Sequence, residues 1–390
     1  MSHLHRALAL APFALFVACS SSSSDPAAPP QADAGTPADA GPTPDAYVDA
    51  YEQAVFAATW QALPNAPTTR AKMDDVFFVS PKVAYLANGP SFSVDRSDDG
   101  GETWKTSFSN KGTFFRAVAF LDDKHGFAGN LGAGLSSSIT DTNVLYETKD
   151  SGATWSPVTA ITGPKPEGIC NLTVIDPTHL VAVGRANGPA HALFSSDAGA
   201  SFTSVDLGDK LSMAIDAHFS SPSEGVVVGM SAGAGTPGAP PGACTIVRTT
   251  DGGKTFSTVF TSTTKNSLCW KVQFPTSQVG YVAVQDTTVG PATFAKTTDG
   301  GKTWVEKPLP VQGNSKGAFP AIGIGFINER IGWVAPEDEK LGVYRTKDGG
   351  ETWEPDPTLK APINRFRFVD KNTAYAVGGK VWKLSIDGKF

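Results

Sequence analysis

The sequence predicts an all-β protein: a single seven-bladed β-propeller whose last blade is closed by a strand from the N-terminal side. Three observations predict it. A short motif ending in Trp or Phe returns six times at a spacing near 50 residues. A pair of candidate strands returns seven times, once more than the motif. A segment around Trp60 looks like the strand that follows the motif, yet no motif precedes it. A unit of about 50 residues is the size of one four-stranded blade.

The motif reads Ser97-Asp98-Asp99-Gly100-Gly101-Glu102-Thr103-Trp104 in its first copy, and five more copies align without gaps at 148–155, 195–202, 249–256, 297–304 and 346–353. The pattern is Ser/Thr-x-Asp-x-Gly-x-Thr/Ser-Trp/Phe. Its aspartates are Asp99, Asp150, Asp197, Asp251, Asp299 and Asp348, stepping by 51, 47, 54, 48 and 49 residues. A worn seventh copy holds Ser385 and Asp387. This is the Asp-box, or BNR, pattern, and turn chemistry explains it. The carboxylate accepts hydrogen bonds from turn N–H groups. Glycine supplies the positive φ that other residues resist. The hydroxyls tie strand to turn, and the aromatic residue starts the next strand and packs between blades. All seven aspartates are therefore read as structural, neither catalytic nor metal-binding.

The strand pairs are Phe78…Tyr85, Phe120…Phe127, Ile175…Ala182, Phe219…Val226, Phe274…Tyr281, Phe326…Trp333 and Phe368…Tyr375, each joined by a polar turn such as Asp370-Lys371-Asn372-Thr373. Seven pairs against six clear boxes leave the last blade one strand short. Thr59-Trp60-Gln61-Ala62-Leu63-Pro64 resembles Thr303-Trp304 with Leu309-Pro310, so residues around 57–63 are expected to supply that strand and bury two free edges.

Composition agrees. The 390 residues are 40% hydrophobic and 18% charged, with 40 Gly and 29 Pro, which favours a turn-dense β protein over a helical one. A formal charge of −6 with scattered basic residues excludes a nucleic-acid footprint. No cofactor is expected, and no Cys-x-x-Cys or Cys/His cluster has zinc spacing.

The N-terminus is read as targeting sequence. A basic start (His3, His5, Arg6) leads into an apolar stretch ending Phe16-Val17-Ala18-Cys19, which resembles the lipobox of bacterial lipoproteins. That resemblance implies a signal peptide at 1–18 and lipid attachment at Cys19. Residues 19–50 are then a Ser/Pro/Ala tether with little to bury, and 51–390 the propeller. Ser20 in place of an Asp points to the outer membrane, facing the periplasm or cell surface of a bacterial envelope.

Candidate binding residues come from alternation along the innermost strands. Counting back from the Phe of each pair, positions 0 and −2 are apolar. Positions −1 and −3 vary and carry Asp75, Asp216, His218, Lys271, Gln273, Arg365 and Arg367, which are expected to lean towards the axial channel. Both signs of charge suit either a polar ligand or compensating ion pairs. Two long connections, 129–143 and 230–242, fall on the face opposite the boxes; the second is rich in Gly, Ala and Pro. Once Cys19 is lipidated, three cysteines remain, so one bridge and one thiol are the most an oxidising compartment allows. Cys244 and Cys269 lie on one face of adjacent blades and are the candidate pair; Cys170 is two blades away.

The Thr-x-Asp-Gly-Gly-x-Thr-Trp boxes with their Phe…Gly-Trp/Tyr strand pairs resemble the photosystem II assembly and stability factor family over residues 57–390. That resemblance implies a seven-bladed propeller acting as a non-enzymatic scaffold for an exported or membrane protein; a glycan is the other expected partner class, and the chain is expected to be a monomer. Asp-boxes occur in sialidases and glucanases too, so a glycan-active enzyme is the alternative. Phe115-Arg116-Ala117-Val118 does not match the sialidase Phe-Arg-Ile-Pro segment, and glucanase relatives use two propellers where this chain has one.

Overall fold

Each repeat folds as a four-stranded antiparallel sheet, and successive sheets follow one another around an axis. The computed structural model describes residues 44–232, 242–286, 291–312, 321–337 and 339–388. Among these, seven sheets form blades 1 (75–109), 2 (115–157), 3 (171–206), 4 (211–261), 5 (267–312), 6 (323–355) and 7 (363–385 with 60–62). Within blades 1, 2, 4, 5 and 6 the strands run innermost to outermost in chain order. Blade 3 gains a fifth strand, Ile161–Thr162, which lies parallel to its outer strand Phe202–Asp206. Cys19 and most of the expected tether lie outside the described residues. No described helix is long and apolar enough to cross a membrane.

Second strands such as Ala84–Asn88, Gly126–Asn130 and Leu180–Gly184 are buried at every position, because a neighbouring blade covers each face. Outer strands such as Lys105–Ser109 are largely open to solvent. The apolar core is accordingly divided among the seams between blades: Val181, Val183 and Leu193 of blade 3, for example, sit in seam clusters with neighbouring blades. At about 25 cal/mol per Å² of apolar surface, these seams are the main stabilising term.

The box turns show why the motif recurs. In blade 4, Asp251 accepts from the Thr249 hydroxyl (2.8 Å), the Thr255 N–H (3.0 Å) and the Thr255 hydroxyl (2.6 Å), while the Thr249 oxygen accepts from the Gly253 N–H (2.9 Å). Gly252 and Gly253 take φ of 73° and 82°, which only glycine adopts freely. The same net recurs around Asp99, Asp150, Asp197, Asp299 and Asp348. The hydroxyl of Thr103, Ser201 or Thr255 is the largest influence holding Asp99, Asp197 and Asp251 down at about 2. Both oxygens of each carboxylate are engaged by the turn. The seventh copy is held differently: Asn372, in the turn between the first two strands, donates to the carbonyls of Ile386 (3.1 Å) and Gly388 (2.9 Å).

Blade 7 is closed from the N-terminal side. Trp60–Ala62 pairs antiparallel with Val381–Ser385, in the register Trp60↔Leu384. The Trp60 ring meets Trp333 of blade 6 edge-on at 5.5 Å and Phe366 of blade 7 at 5.8 Å, the packing that box tryptophans make in other seams. Two expectations are corrected. Residues 44–50 are helical and not extended tether: the helix Pro44–Ala57 is anchored by buried Val55, by the Tyr51 hydroxyl on the Lys371 carbonyl (2.6 Å) and by Arg345, which donates to the Phe56 carbonyl (2.9 Å). In blade 3 the strand pair is shifted by one residue. Val174 faces Leu180 and Thr173 faces Val181, so Val174 and Val181 hold the places assigned to Ile175 and Ala182. Without an aromatic residue, an all-aliphatic strand pair leaves its phase unmarked in the sequence.

Candidate functional site

The cross-strand register aligns one ring of inner-strand residues: Asp75, Ala117, Asn171, Asp216, Lys271, Gly323 and Arg365 face Ala87, Gly129, Val183, Val228, Ala283, Ala335 and Val377 respectively. The charged members turn to the axis. Arg365 of blade 7 grips Asp216 of blade 4 through two bonds (2.9 and 3.1 Å). Those blades are not neighbours, so the pair crosses the axis and fills it. Asp216 also accepts from the Val272 N–H (3.0 Å). Its carboxyl lies below the usual range: burial opposes this, and Arg365 and Lys271 outweigh it. Asp75 accepts from Arg367 (2.6 Å) and lies 3.4 Å from the Arg365 Nε. Lys271, 1% exposed, has no hydrogen-bond partner for its ammonium. Burial, reinforced by Arg365, pulls it down to about 7.

A second layer was hidden from alternation. The inner strands of blades 2, 4, 5 and 7 each carry a bulge, and the extra residues are Arg116, Ile215, Trp270 and Asn364. A bulge re-aims a side chain that simple alternation would send away. Trp270 donates to the Asn364 Oδ1 (2.7 Å), again across non-adjacent blades, and packs with Ile215 and Ile322. Arg116 lies 5.0 Å from the Trp270 ring centroid and 3.4 Å from Asp74. The Met73-Asp74-Asp75 sequence signals a doubled acid, but the period-2 count selects only Asp75.

Two expected channel residues do not join this plug. His218 lies flat against Phe274 (4.4 Å, 15°) in the seam between blades 4 and 5, where burial lowers it to about 4. Gln273 clamps blade 6: its amide nitrogen donates to the Phe326 carbonyl and its oxygen accepts from the Phe326 N–H, both at 2.9 Å. Cys244 and Cys269 form a disulfide that joins blades 4 and 5 beside the Trp270 bulge. Cys170 is a buried free thiol whose sulfur accepts from the Ala186 N–H (3.2 Å). Among the described residues, no cluster of His, Cys, Asp or Glu could hold a metal. The 230–242 connection lies mostly outside the described residues. The 129–143 connection is pinned by Asn130, which donates to the carbonyls of Asp141 (3.2 Å) and Asn143 (2.8 Å).

The mouth above the plug lies on the face opposite the boxes. Lys72 sits 4.3 Å from the Trp270 ring centroid and 3.6 Å from Glu337. A cleft of about 260 Å³ opens there between Lys72, Phe114, Ile322 and Asn364. It shares Arg70, Ala71, Glu337 and Pro362 with a wider cleft of about 630 Å³ that runs outward past Lys360, Lys380 and Trp382. Among the described residues, four cations thus border the two clefts against one carboxylate. The cations come from loops distant in sequence (69–72, 360 and 380), so no local motif marks them.

No family model matches the chain, and no curated protein matches it. Solved structures do. The chain is similar to a structure described as YCF48 bound to D1 peptide, at 15% identity with a TM-score of 0.60, covering 85% of this chain and 97% of that one. It is similar to YCF48 from Cyanidioschyzon merolae at 16% identity and a TM-score of 0.59, covering 84% and 99%. A GH74 xyloglucanase from Xanthomonas campestris matches at 14% identity and a TM-score of 0.59, covering 84% of this chain but 53% of the enzyme. At these identities the likeness establishes the fold: the chain is a seven-bladed β-propeller of the shape shared by YCF48 and part of the xyloglucanase.

Proposed function

We propose that this chain is a non-catalytic docking scaffold, anchored to a bacterial membrane through lipid on Cys19, that holds an exported or membrane protein by a carboxylate-bearing segment laid across the channel mouth. The observation that carries this reading is the rim of Arg70, Lys72, Lys360 and Lys380 around connected clefts whose described lining holds one carboxylate, Glu337. Such a rim complements an acidic peptide in charge, and Phe114 and Trp382 offer it apolar walls. The plug beneath supports the same reading. Ion pairs and a hydrogen bond crossing the axis hold the rim's base rigid, which lowers the ordering penalty on binding. YCF48, which this chain is similar to in shape, is described bound to D1 peptide.

The glycan-active alternative is not favoured by the carboxylates. A glycosidase needs one carboxyl kept protonated near neutral pH. Asp74, Asp75 and Asp216 each lie against an arginine, and Asp216 is held below its ordinary range. The test is fluorescence anisotropy with a labelled oligoglutamate peptide. The account expects saturable binding that weakens with salt, and a loss of at least about tenfold, ~1.4 kcal/mol, in the Lys360→Glu/Lys380→Glu variant. Equal binding by that variant sinks the reading, as does turnover on a glycoside panel.

A further inference from the structure

Seams between blades share one stacking position, and one seam leaves it open. In blade 1, Tyr85 stacks on Phe120 of blade 2 (3.9 Å between centroids) and its hydroxyl donates to the Ser151 carbonyl (2.7 Å). In blade 7, Tyr375 stacks on Phe78 of blade 1 (4.1 Å) and donates to the Gly100 carbonyl (2.7 Å). In blade 5, Tyr281 stacks on Phe326 of blade 6 (3.5 Å) and donates to the Glu329 carbonyl (2.9 Å), with the Gly349 carbonyl at 3.4 Å. Ser151, Gly100 and Gly349 each directly follow the aspartate of the next blade's box. Facing each tyrosine on the third strand is a cation: Arg96, Lys383 or Lys296.

Between blades 3 and 4 the tyrosine position is Val181 and the cation position is Phe194. Phe219 of blade 4 meets Phe194 edge-on (5.7 Å, 78°) and not face to face. The box aromatic here is Phe256, where three of these seams' relatives carry the larger Trp. Phe194 leans over Gly253, and beside it remains a cleft of about 410 Å³ walled by Ile175, Val181, Phe194, Val205 and Pro222, with Gly252, His179 and Lys254 at its edge. The seam between blades 4 and 5 also has a valine, Val226, but there His218 stacks on Phe274 and about 10 Å³ remains.

We propose that the cleft between blades 3 and 4 binds a small monophenol, its ring against Val181 and Phe194 and its hydroxyl donating to the Gly252 carbonyl. Three other seams of the same chain show what this position takes: an aromatic ring for the apolar walls and a hydroxyl for the carbonyl after the box aspartate. Gly252 follows Asp251 and holds the same place in its box as Gly100, with a φ of 73° against 75°. A hydrocarbon ring satisfies the walls alone, and an aliphatic alcohol the carbonyl alone. The volume is that of a small-molecule pocket. The site lies on the box face, away from the basic mouth, and stands independently of the docking function.

The test is calorimetric titration of the full chain with p-cresol, the side chain of tyrosine. The expected result is saturable one-site binding, with toluene at least about tenfold weaker. Val181→Tyr is expected to abolish p-cresol binding and raise the melting temperature by filling the cleft from within. Val181→Phe, which brings the ring alone, is expected to weaken binding in the same direction should the tyrosine variant fail to fold. Absence of saturable binding, toluene binding equal to p-cresol, or unchanged p-cresol binding by a folded Val181 variant overturns the proposal. N-acetyltyrosinamide binding as tightly as p-cresol overturns the small-molecule assignment in favour of a tyrosine side chain.

Discussion

Asp251 and Lys271 show how residue type alone misleads about role. Asp251 is half-buried and recurs at a spacing near 50 residues, which invites a catalytic reading, yet its oxygens close a turn. Asp251→Ala is expected to lower the melting temperature, and Asp251→Asn, which keeps one acceptor oxygen, less so. The carboxylates of Asp99, Asp197 and Asp251 are depressed to about 2, so their contribution is present above the ordinary carboxylate value near 4 and is lost as pH falls from about 4 towards 2. Unfolding scans over that window should show a steep loss of stability, shallower in variants lacking box aspartates. Lys271 is the opposite case, a buried ammonium with no hydrogen-bond partner. Its folded value of about 7 lies below the unfolded value near 10.4, so its penalty grows as pH falls from about 10 to 7. Lys271→Met is expected to stabilise the fold, more at pH 6 than at pH 9, because the variant escapes the cost of a buried ammonium. A destabilised Lys271→Met at pH 6 would contradict this. Asp216, Lys271 and Arg365 were legible because alternation holds from the terminal Phe back to position −3. Arg116, Trp270 and Asn364 were not, because a bulge adds a residue without changing composition.

At the scale of elements, the box turns and most strand pairs are local. Motif residues four apart bond one another, so sequence alone displays them. The closing strand is the exception. Its partner Val381–Ser385 lies more than 300 residues away, and only the unmatched Trp60 signals it. Trp60, 3% exposed, packs on Trp333 and Phe366. Trp60→Ala is expected to cost about 3–5 kcal/mol. A chain beginning at Lys72 loses both this strand and the helix Pro44–Ala57, and calorimetry should show a much lower melting temperature. A melting temperature equal to that of the full chain would mean that the closure does not hold the ring. The helix itself was not legible: Pro44 opens it in a low-complexity stretch, and its support comes from Lys371 and Arg345 in distant blades.

For the whole molecule, the two faces divide the work. The box face carries turns whose polar groups bond one another. The opposite face carries the loops that assemble a basic mouth over a plugged axis. Blade count and closure could be read from repeat arithmetic, since every blade repeats the same periodic signal. The mouth could not, because Arg70, Lys360 and Lys380 converge only when blade 7 closes beside blade 1. The most direct measurement is hydrogen–deuterium exchange of the full chain with and without oligoglutamate. Added protection is expected at 69–72, 358–362 and 378–382, with the box turns of blades 1 to 6 unchanged. Protection confined to the box turns, with the mouth unaffected, would contradict the assignment of binding to this face.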